Sequence, residues 1–179
     1  PHPRLRRQRQ MCIRDSTHII YFGVLISVVI TLIGLNFSDK IFSLMVTTKE
    51  VTELGLQYTD IIFSGSILFI LVVALNSLLH AEGDTKTYRN VLILSFFINL
   101  ILNPILIFGL LFFPALGVKG IAISTIFSQS VAFFIILFKI LKNPRIKEIT
   151  KKFLIPKLFY FINIFFTSMP IVVSIFAYS

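Results

Sequence analysis

Five stretches of this chain, roughly 19 to 37, 61 to 79, 91 to 113, 117 to 141 and 158 to 178, are each long and apolar enough to cross a bilayer as an α-helix. The hydrocarbon layer takes about 20 mostly apolar residues of helix. No water reaches the backbone there, so a spanning segment must satisfy its own N–H and C=O groups. Charged residues fall between the stretches and hardly ever inside them. A buried helix of a water-soluble protein rarely runs so long without one. A hydrophobic content of 56%, 20 Phe and a mean hydropathy of +0.90 point the same way. The expected fold is all-α, a polytopic helical membrane protein whose obligatory partner is the lipid bilayer of a cell membrane.

The formal charge of +9 would suggest nucleic acid if it formed one face. It is concentrated instead in the first sixteen positions and between Lys139 and Lys157, with no exposed aromatics interleaved, and no nucleic-acid partner is expected. The run Arg6-Arg7-Gln8-Arg9-Gln10-Met11-Cys12-Ile13-Arg14-Asp15-Ser16 looks like a translated sequencing-library transposase adapter, so residues 1–16 are expected to be a non-native leader. Without them the net charge falls to +5 and the one cysteine, Cys12, is lost, which leaves no thiol, disulfide or cysteine-based metal site to consider. With the chain stopping at Ser179 directly after an apolar run, both ends are expected to be cut.

Lys and Arg are retained on the cytoplasmic side of membrane proteins. The connection carrying Lys139, Lys142, Arg145, Lys147, Lys151, Lys152 and Lys157 is therefore expected inside, the loop with Lys119 outside, that with Lys86 and Arg89 inside, and that with Asp39, Glu50, Glu53 and Asp60 outside. Residues 142–157 mix these cations with Ile146, Ile149, Phe153, Leu154 and Ile155. They suit either a basic amphipathic helix at the membrane surface or a solvated linker.

Polar groups inside a span usually face protein, water or a ligand. Here they are asparagines: Asn76, Asn99, Asn103 and Asn163. Asn99 and Asn103, four apart, share one helix face. Each carboxamide offers donors and an acceptor that suit a carboxylate, an ion or a polar substrate group. The same residue type also joins membrane helices by hydrogen bonds of about 1 kcal/mol or less. Pro104 disfavours helical geometry at Asn103 and frees a carbonyl one turn earlier, which predicts a kink. His80, Glu82 and Asp84 alternate, but the only other histidine past the leader, His18, lies one span earlier and no second carboxylate-rich cluster falls on the same side, so no catalytic or metal role is expected. Gly83 with its free φ and a cap from Asp84 and Thr85 account for a sharp turn. Gly120 and Ser124 form a small-xxx-small pair that allows close helix approach. Thr125 would either add a hydroxyl to a polar pocket or bond a carbonyl of its own helix.

Three blocks in register, Ala74-Leu75-Asn76-Ser77-Leu78-Leu79-His80-Ala81-Glu82-Gly83-Asp84-Thr85-Lys86, Asn99-Leu100-Ile101-Leu102-Asn103-Pro104 and Leu116-Gly117-Val118-Lys119-Gly120-Ile121-Ala122-Ile123-Ser124-Thr125, strongly resemble the multidrug and toxic compound extrusion (MATE) family. The resemblance implies a twelve-helix exporter of two six-helix bundles. Residues 17–141 would be four helices of the first bundle, the third to sixth of the protein. Residues 142–157 would be the basic cytoplasmic linker, and 158–179 the truncated first helix of the second bundle. It implies a secondary antiporter that exchanges small organic or drug-like compounds for protons or sodium ions, not an enzyme, with no cofactor. By motif position Asn76, Asn99, Asn103 and Thr125 match polar residues that surround a first-helix aspartate, a binding or supporting set for substrate or ion. That first helix is absent from this chain. At Asn103 much of the family has aspartate, and an amide carries no proton. A lipid-linked oligosaccharide flippase of the same superfamily, which would line its cavity with Arg or Lys, and a non-functional truncated fragment are the alternatives.

Overall fold

The computed structural model describes residues 3–45, 48–110, 113–144 and 146, with side chains described from Ile20 onward. The apolar stretch 158–178, Asn163 and most of the basic segment 142–157 lie outside the described residues. Five helices follow one another: α1 (Pro3–Leu44), α2 (Lys49–Ser64), α3 (Ser66–Glu82), α4 (Lys86–Phe108) and α5 (Val118–Lys142). The all-α membrane fold expected from the apolar runs is present: Ile20–Leu44, Lys86–Phe108 and Val118–Lys142 are each long and apolar enough to cross a bilayer.

Several boundaries differ from expectation: the stretch expected at 91–113 is α4, which starts and ends five residues earlier at Lys86–Phe108. α1 does not stop near residue 37 but continues through Asp39 and Lys40 to Leu44. No Gly or Pro interrupts residues 35–44, the Ser43 hydroxyl bonds back to the Lys40 carbonyl at 2.7 Å, and the Lys40 ammonium lies 5.2 Å from the centre of the Phe37 ring. The region of Glu50, Glu53 and Asp60, expected as an outside loop, is α2. Thr48 caps its first turn by accepting from the Val51 N–H at 3.5 Å, and Glu50 stands where the positive end of the helix dipole favours an anion.

The expected single span 61–79 is a bent pair, with α2 and α3 meeting at 43° about Gly65. A break inside a membrane helix leaves backbone oxygens to be satisfied by neighbours. α1 does this: the Thr31 hydroxyl donates to the Phe63 carbonyl at 3.0 Å and lies 2.7 Å from the Ser66 hydroxyl, which reaches the Ser27 carbonyl at 3.3 Å. A Cβ on Gly65 would stand 2.6 Å from Cδ1 of Ile126, so α5 is packed against the notch. Pro104 does not end α4, which runs one more turn to Phe108 and closes on Gly109 at φ +69°.

α1 packs on α2 and α3, and α5 packs on α2, α3 and α4, so α5 is the central strut. The largest buried cluster joins Val72, Leu75, Leu78 and Leu79 of α3 to Val91 of α4 and to Ala132, Ile136 and Ile140 of α5. It sits at the end of the bundle closed by the α3–α4 turn. Lipid tails are as apolar as these side chains, so close packing and interhelical hydrogen bonds, rather than transfer from water, hold such helices together.

Candidate functional site

The α3–α4 turn, the densest polar cluster in the sequence, is structural in its geometry. Gly83 takes φ +86°, a left-handed conformation that favours glycine. Asp84 Oδ1 accepts from the Thr87 N–H at 3.0 Å and its Oδ2 from the Thr87 hydroxyl at 2.6 Å, with the Lys139 ammonium 3.8 Å away. The hydrogen bond from the Thr87 side chain, then that from its backbone, hold the Asp84 carboxyl below the usual carboxylate range. Asp84 rather than Thr85 does the capping. The His80 ring lies 6.4 Å from that of Tyr88, edge to face. Among the described residues no three His, Cys, Asp or Glu side chains converge on a possible metal position.

The polar interior lies between α4 and α5. The two backbones meet at Gly120, where a Cβ would stand 2.8 Å from the Leu106 carbonyl carbon and oxygen; a larger residue would force the helices apart. One turn further along α5 the fully buried Ser124 meets both carboxamides of α4. Its Oγ is 3.3 Å from Asn99 Oδ1 and in close hydrogen-bond contact with Asn103 Oδ1, while it also reaches the Ile121 carbonyl at 2.9 Å. One turn on again, Ser128 accepts from Asn99 Nδ2 at 2.7 Å and donates to the Thr125 carbonyl at 2.8 Å. Asn99 Nδ2 donates as well to the Ser95 carbonyl at 3.2 Å.

Ser124 has one proton and three oxygens around it, so it donates to one of them at a time. A half-turn of the Asn103 carboxamide presents Nδ2–H to Ser124 Oγ and leaves the serine proton for Asn99 or Ile121. The contact between the two helices is thus made without any charge.

Asn99 and Asn103 are thus brought together, as their spacing predicts. The Thr125 hydroxyl instead donates to the Ile121 carbonyl of its own helix at 2.9 Å, the second of its two expected uses. Asn76 stands apart on α3, 8% exposed, with its buried Oδ1 lacking a hydrogen-bond partner. Sequence reading missed Ser95 and Ser128 and valued Ser124 only for its size. The signal was there: Gly120, Ser124 and Ser128 recur every four residues along one face of α5, and Ser95 precedes Asn99 by four.

The MatE family model matches residues 7–105, more than half of the chain, and begins within the stretch read as a leader. The probable multidrug resistance protein YoeA of Bacillus subtilis is 36% identical over 122 residues, 68% of this chain and 26% of that protein. The multidrug export protein MepA of Staphylococcus aureus is 32% identical over 76% of this chain and 30% of its own length. The FAD transporter of Shewanella oneidensis is 37% identical over 56% of this chain and 22% of its own. This chain therefore spans less than a third of each of these relatives. Among solved structures, an inward-facing multidrug resistance MATE family transporter of the MOP superfamily superposes with a TM-score of 0.79 at 24% identity, covering 92% of this chain and 37% of that one. A MOP superfamily transporter from Pyrococcus furiosus gives 0.64 at 25% identity over 79% of this chain and 33% of its own. Matched by the family model over most of its apolar helices, and carrying helices fit to span a bilayer, this chain belongs to the MatE family of multidrug efflux transporters, which are multi-pass membrane proteins.

Proposed function

We propose that the complete protein carrying this chain is a secondary antiporter that exports small organic or drug-like compounds in exchange for protons or sodium ions. Residues 17–141 supply four helices of its first bundle. The observation that carries this reading is the uncharged ladder of Asn99, Ser124, Asn103 and Ser128 in a bundle where no ionisable side chain is buried among the described residues. Carboxamides recognise polar and cationic groups through lone pairs and N–H groups without a fixed countercharge, so a bound compound is also released. In this reading Asn76, Asn99 and Asn103 face substrate or ion and Thr125 supports them from behind. The free Oδ1 of Asn76 is the acceptor best placed to take a donor or cation. An amide at position 103 cannot be protonated, so a coupling carboxylate belongs to helices outside this chain. The flippase alternative asks for Arg or Lys in the cavity, and no described span buries either.

The test uses the complete transporter in proteoliposomes, loaded with a fluorescent cationic dye under an imposed proton or sodium gradient. Dye movement should follow one of the two gradients, and Asn103→Leu should slow it at least about tenfold, equivalent to about 1.4 kcal/mol. Movement indifferent to both gradients would overturn antiport. Movement untouched by Asn76→Leu, Asn99→Leu and Asn103→Leu would overturn the site.

A further inference from the structure

The end of α5 presents two faces of unlike chemistry. Ala132, Ile136 and Ile140 are buried in the core, whereas Phe134, Phe138 and Leu141 remain 64%, 60% and 57% exposed on the opposite side. With Ile135 and Leu137 these three line a shallow apolar groove of about 490 Å³ along the helix. Positions 134, 138 and 141 follow the helical repeat, so the groove runs along the axis. Lys142 follows these residues at the end of α5, with its ammonium 4.4 Å from the centre of the Phe138 ring. Lys139, one turn back, is 56% exposed and faces Asp84 at 3.8 Å. α5 itself contains no acidic residue.

We propose that this groove docks an anionic phospholipid, with an acyl chain along Phe134, Phe138 and Leu141 and the phosphate headgroup against Lys142, while Lys139 stays paired with Asp84. Charge complementarity selects this occupant. The last-turn carbonyls of α5 carry the negative end of the helix dipole and alone would repel an anion. The Lys142 ammonium outweighs that partial charge, Lys139 being balanced by Asp84, and the sequence from 139 to 157 carries seven Lys or Arg against one Glu. Basic residues at the cytoplasmic end of a membrane helix attract anionic lipid by roughly fivefold each. The Lys142 ammonium rests over the Phe138 ring, and a long side chain of this kind reaches an interfacial headgroup while its stem stays on apolar surface. An apolar groove with a cation at one end matches a molecule with an apolar tail and an anionic head.

The chain contains no Trp, so Phe138→Trp makes a local reporter once tryptophans elsewhere in the complete transporter are replaced by Phe. The protein is reconstituted in phosphatidylcholine vesicles containing a small, equal mole fraction of brominated phosphatidylglycerol or brominated phosphatidylcholine. Phosphatidylglycerol should quench at about fivefold lower mole fraction, and Lys142→Gln in the same background should remove that preference. Phe134→Trp gives the same readout if position 138 does not accept the indole. Equal quenching by both lipids would mean ordinary bilayer contact and overturn the site. No quenching by either lipid at both positions would place protein over the groove and overturn it equally, as would a preference that survives Lys142→Gln.

Discussion

At the α4–α5 contact Gly120 lies on the Leu106 carbonyl while Ser124 and Ser128 meet Asn99 and Asn103; at the α2–α3 joint Gly65 lies against Ile126 while Thr31 donates to the Phe63 carbonyl and meets Ser66, whose hydroxyl reaches the Ser27 carbonyl. Both contacts pair a glycine with hydroxyls, yet the hydroxyls serve different partners. At the joint the helix is broken, and α1 satisfies backbone oxygen that lipid could not. Between α4 and α5 both helices run through, α4 across Pro104, and the groups that meet from one helix to the other are side chains. Hydroxyls consumed by a backbone repair are structural. Carboxamides in excess of any repair are the groups that the proposed function assigns to a ligand.

Five substitutions test that contrast, and a sixth probes the α3–α4 turn. The largest effect is expected at the two glycines. A Cβ at position 120 meets backbone, which yields only if α4 and α5 separate, so Gly120→Val should cost about 3 kcal/mol, the upper end for overpacking. At Gly65 the obstacle is the end of the Ile126 side chain, and Gly65→Ala should cost about 1 kcal/mol. Thermal unfolding of the purified transporter in detergent checks both, and equal losses would remove the distinction between a rigid and a compliant contact.

Next comes Asn76→Leu. A buried acceptor without a donor costs about 1–3 kcal/mol, so its removal should leave stability unchanged or raised by about 1 kcal/mol while dye export falls. A protein that loses stability and keeps its export would show Asn76 to be a joint between helices. The pair Asn99→Leu and Thr31→Val comes third. Each breaks interhelical hydrogen bonds worth roughly 0.6 kcal/mol, so unfolding midpoints should move together, but export should drop only for Asn99→Leu. Equal transport in the two variants would erase the difference between ligand-facing and repair groups.

Asp84→Asn should have the smallest effect, about half a kcal/mol at neutral pH, because asparagine also caps a helix. Asp84 has its carboxyl lowered in the fold, chiefly by the Thr87 hydroxyl. Its contribution is therefore complete above the unfolded value near pH 3.9 and is lost as pH falls through the lower folded value. An acid titration of stability should show that step in the parent protein and a flatter profile in Asp84→Asn.

Much of this architecture was legible because lipid permits few solutions. Apolar length located α1, α4 and α5, since a segment without water must be helical. The spacing of Asn99 and Asn103 placed both on one face, and the glycine and aspartate after Glu82 announced the turn. α2 was not legible: Glu50, Glu53 and Asp60 read as a loop by charge, whereas helix formation there depends on a threonine cap and on packing against α1 and α5. The bend at Gly65 was hidden for a related reason. A single glycine in an apolar run breaks a helix only when a neighbour such as Thr31 can take up the released carbonyl.

Composition and spacing alone determined that the chain is a set of membrane helices, roughly where their apolar lengths lie, and that Asn99 and Asn103 share one face, because these follow from local hydrogen bonding and from the thickness of a bilayer. Only the tertiary structure decided what each polar group does: Ser124 joins two asparagines, Thr125 turns back on its own helix, and Asn76 is left without a donor. That outcome depends on which helix lies within 3 Å of which, and such proximity between residues 20 to 40 positions apart is set by packing rather than by any local pattern.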